Sequence, residues 1–552
     1  MSLLSVGLTG LSHATPIFLV AAAVTLVFDA SRVLDLSQAA IAGLAAALLG
    51  QLALAPTLAL VAIPAILAVL GGGVDLLVFG RLRRAPLLAQ LLVTLGLFLV
   101  FQDTAQLLWA HSPSTRPSWA IGERGMLAII GAAPVILGLL LTVPARGRLV
   151  APLASALSGL AGTLWFVSQP THLVGVDTNL LADSLLAVLL GGLGSLPGAF
   201  IAAVVIALLR AFTTDLFPLS ALVLPLAMTA AFLLVRPGGL FTPAIPAPVH
   251  PTSTMLIRPA SRSAKLLFAA AFLVGSVAIC SAGSGTPLFA DIGIAVLLAA
   301  SLHLLLGPGG MPSLGHAAFF GVGAYAAALF VRIAGSAPSL LLFSAALVLG
   351  TLIAGVAALV VGTVVIRLSA PALAMLTLVI AHLVSTVATW IGPIEPLAWP
   401  DLLRTSAAWL TFAICLGIAL LLRRLLYAPF GYALRAARDN PVRAAAIGLP
   451  ISLLRLSAFT ITGGTAGLAG ALTLVTIGTG SAIGRSADTL LMLALGGLQT
   501  MAAPFVGALA YTGAVDTSAP WPFLLGLALV AVPLLLPDGI AGAFIRFWRR
   551  PA

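Results

Sequence analysis

Apolar stretches long enough to cross a lipid bilayer recur from one end of this chain to the other. Their cores include Thr15–Val27, Leu52–Leu70, Leu127–Val143, Leu340–Val365 and Pro522–Leu536. A transmembrane helix needs about 20 predominantly apolar residues, so each run of this kind predicts a membrane-spanning helix. We therefore predict an all-α polytopic integral membrane protein with about 16 to 18 transmembrane helices.

The charge content supports the same conclusion. Only 7% of the 552 residues are charged, against about 25% in soluble domains. The net charge of +11 comes from short basic segments between apolar runs. This is the positive-inside pattern of cytoplasmic loops, and it argues against binding to nucleic acid. The segments assigned to the cytoplasmic side are Arg81–Arg84, Arg146–Arg148, Arg236, Arg258–Lys265, Arg367, Arg423–Arg455 and Arg546–Arg550.

A stretch rich in Pro, Ser and Thr, residues 236–265, interrupts the apolar runs near the middle of the chain. Its composition predicts a semi-extended linker on the cytoplasmic side of the membrane. The predicted domains are therefore a first membrane half at 1–235, the linker at 236–265 and a second membrane half at 266–552.

The two predicted halves share short sequence segments in the same order. VLDLSQAAIAGLAAA at 33–47 aligns without gaps with MPSLGHAAFFGVGAY at 311–325. GLAG recurs at 159–162 and 467–470, and LGGL recurs at 190–193 and 495–498. These matches predict a duplicated unit, which is how many transporters build a central pathway.

The second half contains a charged insertion that the first half lacks. Tyr427–Phe459 is rich in Arg and Ala, is bounded by Pro and Gly, and includes Asp439. This composition predicts one or two short amphipathic helices in a cytoplasmic loop. Two interpretations remain open, an ordinary positive-inside loop and a docking element for a soluble partner.

Several of these segments resemble one transporter family. GYALRAARDNPVRAAAIGLPISLLRLSAF and the helix after it resemble the coupling loop of branched-chain amino acid ABC-transporter permeases, and PSLGHAAFFGVGAYAAAL and LGGLQTMAAPFVGAL resemble two more of their motifs. The second half thus looks like the M-type permease subunit. RVLDLSQAAIAGLAA, RLRRAPLLAQLLVTLGLFLVFQ and LLVRPGGLF make the first half look like the H-type subunit.

The resemblance implies two fused halves of a permease in a bacterial inner membrane. Such a permease moves branched-chain or other hydrophobic amino acids by alternating access. Separate ABC ATPase subunits bind on the cytoplasmic side and a solute-binding protein delivers the small-molecule substrate outside. The matched coupling-loop positions are Gly431, Arg435, Ala436, Asp439, Asn440, Ala444, Ala445, Ile447 and Gly448. Arg438 lies among them and is a further candidate coupling residue.

The chain departs from the family pattern at three places. After Trp390 the second half is shortened, with IGPIEPLAWP where the family has a Gly-rich periplasmic loop. The first half lacks a coupling loop, and only Arg146 and Arg148 stand near its expected place. Gln38 stands where the family has a His, whereas His316 keeps that His in the second half. Symmetric docking of two ATPases is therefore in question.

Polar residues within apolar runs are the candidates for the substrate pathway, because polar groups are costly at membrane depth. Each repeat has a predicted helix break before a Gly/Ala-rich helix, where free backbone N–H groups could attract a substrate carboxylate. The same residues could instead serve helix packing or bond their own helix. The candidates are Ser37, Gln38, Thr94, Gly315, His316 and Thr377.

The sequence predicts no catalytic site, cofactor or metal. It has no GxxxxGK[ST] phosphate-binding loop, so ATP hydrolysis is expected in separate subunits. Acidic residues mostly adjoin the ends of apolar runs, which disfavours an ion-coupled secondary transporter. Three alternatives stay open: a permease of the same family for urea or short amides, such a secondary transporter, and a decayed permease that no longer transports.

Overall fold

In the computed structural model the described residues are mainly helical. These are 3–52, 56–83, 85–110, 123–142, 147–168, 176–214, 220–241, 287–335, 339–392, 401–473, 485–497, 502–514, 521–536 and 539–540. The helices are α1 (Leu3–Ser31), α2 (Ser37–Leu52), α3 (Pro56–Val74), α4 (Leu87–Ala110), α5 (Glu123–Thr142), α6 (Val150–Ser168), α7 (Val176–Gly191), α8 (Leu196–Thr214), α9 (Ser220–Val235), α10 (Pro287–Leu306), α11 (Ala317–Ala334), α12 (Leu340–Val365), α13 (Ala370–Ile391), α14 (Asp401–Leu426), α15 (Pro429–Asp439), α16 (Pro441–Ala446), α17 (Ile451–Leu472), α18 (Arg485–Gly496), α19 (Ala503–Ala514) and α20 (Trp521–Leu535).

The apolar runs form these helices, so the predicted all-α polytopic class is confirmed. Within the described ranges, ten helices are long and apolar enough to cross a membrane, and six further apolar helices are shorter. The predicted total of about 16 to 18 spans also counts runs such as Leu266–Ile279. That run lies outside the described residues, so the total stays a prediction.

The chain divides into two compact units. The first comprises Met1–His250 and Pro522–Leu534, and the second comprises Pro251–Trp521 and Leu535–Ala552. The last helix, α20, thus groups mainly with the first unit, although it follows the second in sequence. Residues 242–286 lie outside the described part of the chain, so the predicted linker and domain boundaries stay a prediction.

Backbone contact holds α20 to the first unit. A Cβ atom on Gly96 of α4 would lie only 2.7 Å from the carbonyl oxygen of Gly526 on α20. A Cβ atom on Gly526 would in turn lie 2.7 Å from the carbonyl oxygen of Gly96. The two helices can approach this closely because both residues are glycine.

The two units use the same helix pairings. In the first unit α1 packs against α5, α6 and α8, α2 packs against α4 and α6, and α3 packs against α6. In the second unit α10 packs against α14, α17 and α19, α11 packs against α13 and α17, and α12 packs against α17. Among these pairs, α2 with α6 and α11 with α17 join helices that carry the repeated sequence segments.

The repeated GLAG segment makes the equivalent contact in each unit. A Cβ atom on Gly162 of α6 would overlap the carbonyl oxygen of Ala42 on α2. A Cβ atom on Gly470 of α17 would overlap the carbonyl oxygen of Phe320 on α11. Ala42 and Phe320 occupy the same position in the aligned segments. Small residues let membrane helices pack backbone to backbone, which is the main attraction available between apolar helices in lipid.

These contacts predict that Gly162→Ala and Gly470→Ala each lower the melting temperature of the purified permease. The added methyl group must push two helices apart, and overpacking of this kind costs about 1–3 kcal/mol. Gly138→Ala on α5 and Gly417→Ala on α14 are matched controls, because no atom lies within 4 Å of a Cβ at either position. The controls should leave the melting temperature unchanged or raise it, since Ala favours helix over Gly. Equal melting temperatures for all four variants would contradict the packing argument.

Candidate functional site

A break between two helices stands at corresponding places in the two units. In the first unit residues 32–36 separate α1 from α2, and in the second residues 307–316 separate α10 from α11. Both breaks lead into a helix rich in Gly and Ala, as predicted. The polar candidates Ser37, Gln38, Gly315 and His316 all lie at these breaks.

In the first unit, a buried carboxylate occupies the break. Oδ1 of Asp35 accepts hydrogen bonds from the backbone N–H of Ser37, at 3.0 Å, and from Ser37 Oγ, at 2.6 Å. Oδ2 accepts from Nε2 of Gln38 at 2.6 Å. Ser158 Oγ on α6 donates to Oε1 of Gln38 at 2.8 Å. The start of α2 is therefore capped by a side chain of the protein itself and tied to α6.

In the second unit, a histidine occupies the corresponding place. Nε2 of His316 lies 3.0 Å from Oγ of Ser301 on α10. Ser301 Oγ also donates to the carbonyl oxygen of Leu298 at 2.7 Å. His316 thus connects the start of α11 to α10.

Two other candidates of the second unit are in direct contact. The backbone N–H of Leu314 donates to Oγ1 of Thr377 on α13 at 3.2 Å. A Cβ atom on Gly315 would overlap the carbonyl oxygen of Thr377. Gly315 therefore allows the break to lie directly on α13, with the Thr377 hydroxyl satisfying one backbone donor.

Thr94, the candidate on α4, bonds its own helix. Its Oγ1 donates to the carbonyl oxygen of Leu91 at 3.3 Å, and its side chain is fully buried. All six predicted pathway residues are closed to solvent in this conformation. Their contacts are those of packing and capping groups, so a role in substrate contact stays a prediction.

Sequence reasoning missed Asp35 and Ser158. Asp35 could have been found, because it stands two residues before a predicted helix start.

The charged insertion of the second half forms two short helices, as predicted. Pro429 stands at the start of α15, and the Asn440 side chain caps α16 by accepting from the backbone N–H of Arg443 at 2.9 Å. Leu434 and Ala437 lie on the buried face of α15. The pair is therefore amphipathic and packs against the rest of its unit on one side.

Arg435, a predicted coupling residue, bonds the start of its own helix. Its Nη2 donates to the carbonyl oxygen of Leu426 at 2.5 Å and its Nε to that of Gly431 at 3.1 Å. Its guanidinium also lies over the ring of Tyr432, 4.6 Å from the centroid. Arg435 thus fixes the junction between α14 and α15 and has its main partners inside the protein.

Arg438 connects the same element to the helix break of the second unit. Its Nη1 donates to the carbonyl oxygen of Gly307 at 2.7 Å, and its Nε donates to Asp439 at 2.8 Å. Its aliphatic stem covers Gly310, which has a φ of +62° and no room for a side chain. A displacement of α15 would therefore act directly on residues 307–316.

The outer face of the two helices exposes apolar side chains. Val442 is 79% exposed, Ile447 is 75% exposed and Tyr432 is 55% exposed. We name these three residues the coupling surface. Among the predicted coupling residues, Asp439, Ala445 and Gly448 are exposed beside it, Ala436 is half-buried, and Gly431 and Ala444 are buried. Ile447 was among the matched coupling-loop positions, whereas sequence reasoning missed Tyr432 and Val442, although apolar side chains in a charged segment were the available signal.

The ten long apolar helices of the described residues define a multi-pass membrane protein. Residues 287–536 match the family described as branched-chain amino acid transport system / permease component. The match covers α10 to α20 and confirms the resemblance predicted for the second half, whereas the H-type resemblance of the first half stays a prediction. No curated protein matches the sequence.

We expect Asp35→Ala to destabilise the first unit. It leaves the backbone N–H of Ser37 and the side chains of Ser37 and Gln38 without their acceptor, and one buried unsatisfied polar group costs about 1–3 kcal/mol. Asp35→Asn should cost less, because its amide oxygen can still accept from Ser37. The measurement is the melting temperature of each purified variant in detergent. A melting temperature for Asp35→Ala equal to that of the parent protein would show that the network does not stabilise the break.

Proposed function

We propose that this chain is the transmembrane permease of an ATP-driven ABC importer, with two fused permease halves. It takes up branched-chain or other hydrophobic amino acids across a bacterial inner membrane by alternating access. ABC ATPase subunits bind the coupling surface on the cytoplasmic side, and a solute-binding protein delivers substrate on the other side.

The coupling surface is the observation that carries this proposal. Exposed apolar side chains on a short helix pair are unfavourable in water, and they are expected where a partner covers them. The pair lies within the part of the chain that matches a permease component family. An exposed Asp439 and an exposed Arg443 beside the apolar residues supply the polar rim typical of such interfaces.

The contacts of Arg438 suggest how ATPase movement reaches the membrane. A push on α15 is passed to Gly307 and Gly310 through the Arg438 side chain. The segment that follows carries Gly315 and His316, which lie against α13 and α10. In this proposal, ATP binding repacks the break of the second unit and so opens or closes the pathway.

A specific observation also favours one alternative, the ion-coupled secondary transporter. The first unit contains buried carboxylates at Asp35 and Asp183, and buried carboxylates serve as ion or proton sites in such carriers. In both cases the carboxylate already has polar partners within the protein. The importer therefore remains the better-supported function.

The proposed function predicts uptake of labelled leucine into proteoliposomes only when ATPases, ATP and a binding protein are present. The ATPases and the binding protein to be tested are to be sought among the products of the neighbouring genes. Uptake should fail when ATP is replaced by a non-hydrolysable analogue. Uptake driven by an ion gradient without ATPases would support the secondary transporter instead. Uptake of urea or a short amide but not of leucine would assign the other substrate class.

If the ATPase binds at the coupling surface, substitutions in that surface should weaken its binding. Val442→Glu and Ile447→Glu should weaken ATPase binding at least tenfold, because each places a charge in an apolar contact. Both side chains are more than 70% exposed, so the melting temperature of the permease should not change. Val235→Glu, at a valine 87% exposed at the end of α9, is the matched control and should bind normally. The measurement is the dissociation constant between purified permease and ATPase; equal values for the three variants would exclude docking at this surface.

A further inference from the structure

A cavity of about 320 Å³ lies within the first unit, between α1, α6, α7 and α8. This volume equals that of about ten water molecules, which is enough for a small amino acid. Its charged lining residues are Asp183 on α7 and Arg210 on α8. His13 and Trp165 stack on one another in its wall, with ring centroids 5.4 Å apart.

The cavity lies at the end of the unit that faces away from the cytoplasm. Helix α6 follows the basic segment Arg146–Arg148 and reaches the cavity only near its far end, at Trp165. Helix α1 begins at the cavity and ends beside Arg32. Because basic segments mark the cytoplasmic side, the cavity is placed toward the outer side, where a substrate arrives for import.

The ion pair in the cavity is unusual for a membrane protein. Nη1 of Arg210 bonds Oδ2 of Asp183, and the side chain of Asp183 is only 5% exposed. A buried ion pair seldom stabilises a fold more than apolar residues of the same volume would. Ionisable residues in membrane helices are therefore functional candidates by default.

The charged residues of the lining favour a ligand that carries one positive and one negative charge. The pair is neutral as a whole, so a lone anion or cation would bring one unbalanced charge into the cavity. A zwitterion balances both: its carboxylate can bind the remaining N–H donors of Arg210, and its ammonium can bind Asp183. Val6, Ile17 and Ala207 supply an apolar wall.

We propose that this cavity binds a small α-amino acid with an apolar side chain, held by Arg210 and Asp183. The inference rests on the proposed function for the direction of transport. It goes beyond that function in placing a substrate site inside one unit of the permease, at residues that no sequence motif marks.

The test is binding of labelled leucine to the purified permease, without ATPases or binding protein, in a scintillation proximity assay. Leucine should bind saturably. Leucinamide lacks the carboxylate and 4-methylpentanoate lacks the ammonium, so each should compete at least tenfold more weakly. Arg210→Gln and Asp183→Asn should each lower the affinity for leucine at least tenfold.

The other ion pair of the first unit supplies a matched control. Arg83 bonds Asp75 at 2.7 Å, and Arg83→Gln should leave leucine binding unchanged. If a single variant fails to fold, the double variant Arg210→Gln/Asp183→Asn keeps a neutral hydrogen-bonded pair and should still lose binding. Absence of saturable binding by the parent protein, equal competition by leucinamide, or full affinity in the Arg210 variant would each overturn the proposal.

The binding assay and the uptake assay test the two proposals separately. ATP-dependent leucine uptake by a permease that shows no binding at Arg210 would remove the cavity site and leave the importer standing. Binding that depends on Arg210 and Asp183, without any ATP-dependent uptake, would keep the site and remove the importer.

Discussion

Close approach between helix backbones is the contact on which both units depend. In lipid, apolar side chains gain little by leaving their surroundings, so helices must attract one another through packing and a few hydrogen bonds. Gly162 against Ala42 and Gly470 against Phe320 provide such packing at equivalent places. A second pair of glycines, Gly96 and Gly526, brings α20 against α4 in the same way.

The helix breaks are possible only because their polar groups find partners inside the protein. Unpaired backbone groups are too costly at membrane depth, and irregular backbone there must be satisfied locally. The first unit meets this need with the Asp35 carboxylate, and the second uses the hydroxyl of Thr377 together with His316. The two units thus keep one architecture while using different chemistry at the same point.

Sequence reasoning identified the helices and the repeat, because about 20 apolar residues suffice to predict a span and short Gly-containing motifs survive duplication. It predicted the two short helices of the charged segment from their composition, and the structure confirms them, whereas their coupling role stays a prediction. It did not reveal that Arg435 and Arg438 have their partners inside the protein, since their acceptors are backbone carbonyls that only the fold brings close. Ser158 lies 120 residues from Gln38, so their bond could not be inferred. Arg210 was the missed signal, a lone basic residue in an otherwise apolar run.

The position of α20 has a consequence for biosynthesis. The first unit contains a helix that the ribosome makes only after almost the whole second unit, so the first unit cannot reach its final packing during its own translation. The face of α4 that carries Gly96 stays without its partner helix until Gly526 has been inserted into the bilayer. Because α4 and α20 belong to one polypeptide, the late helix is made close to the surface that it packs against, whereas a helix on a separate chain would have to reach that surface by diffusion.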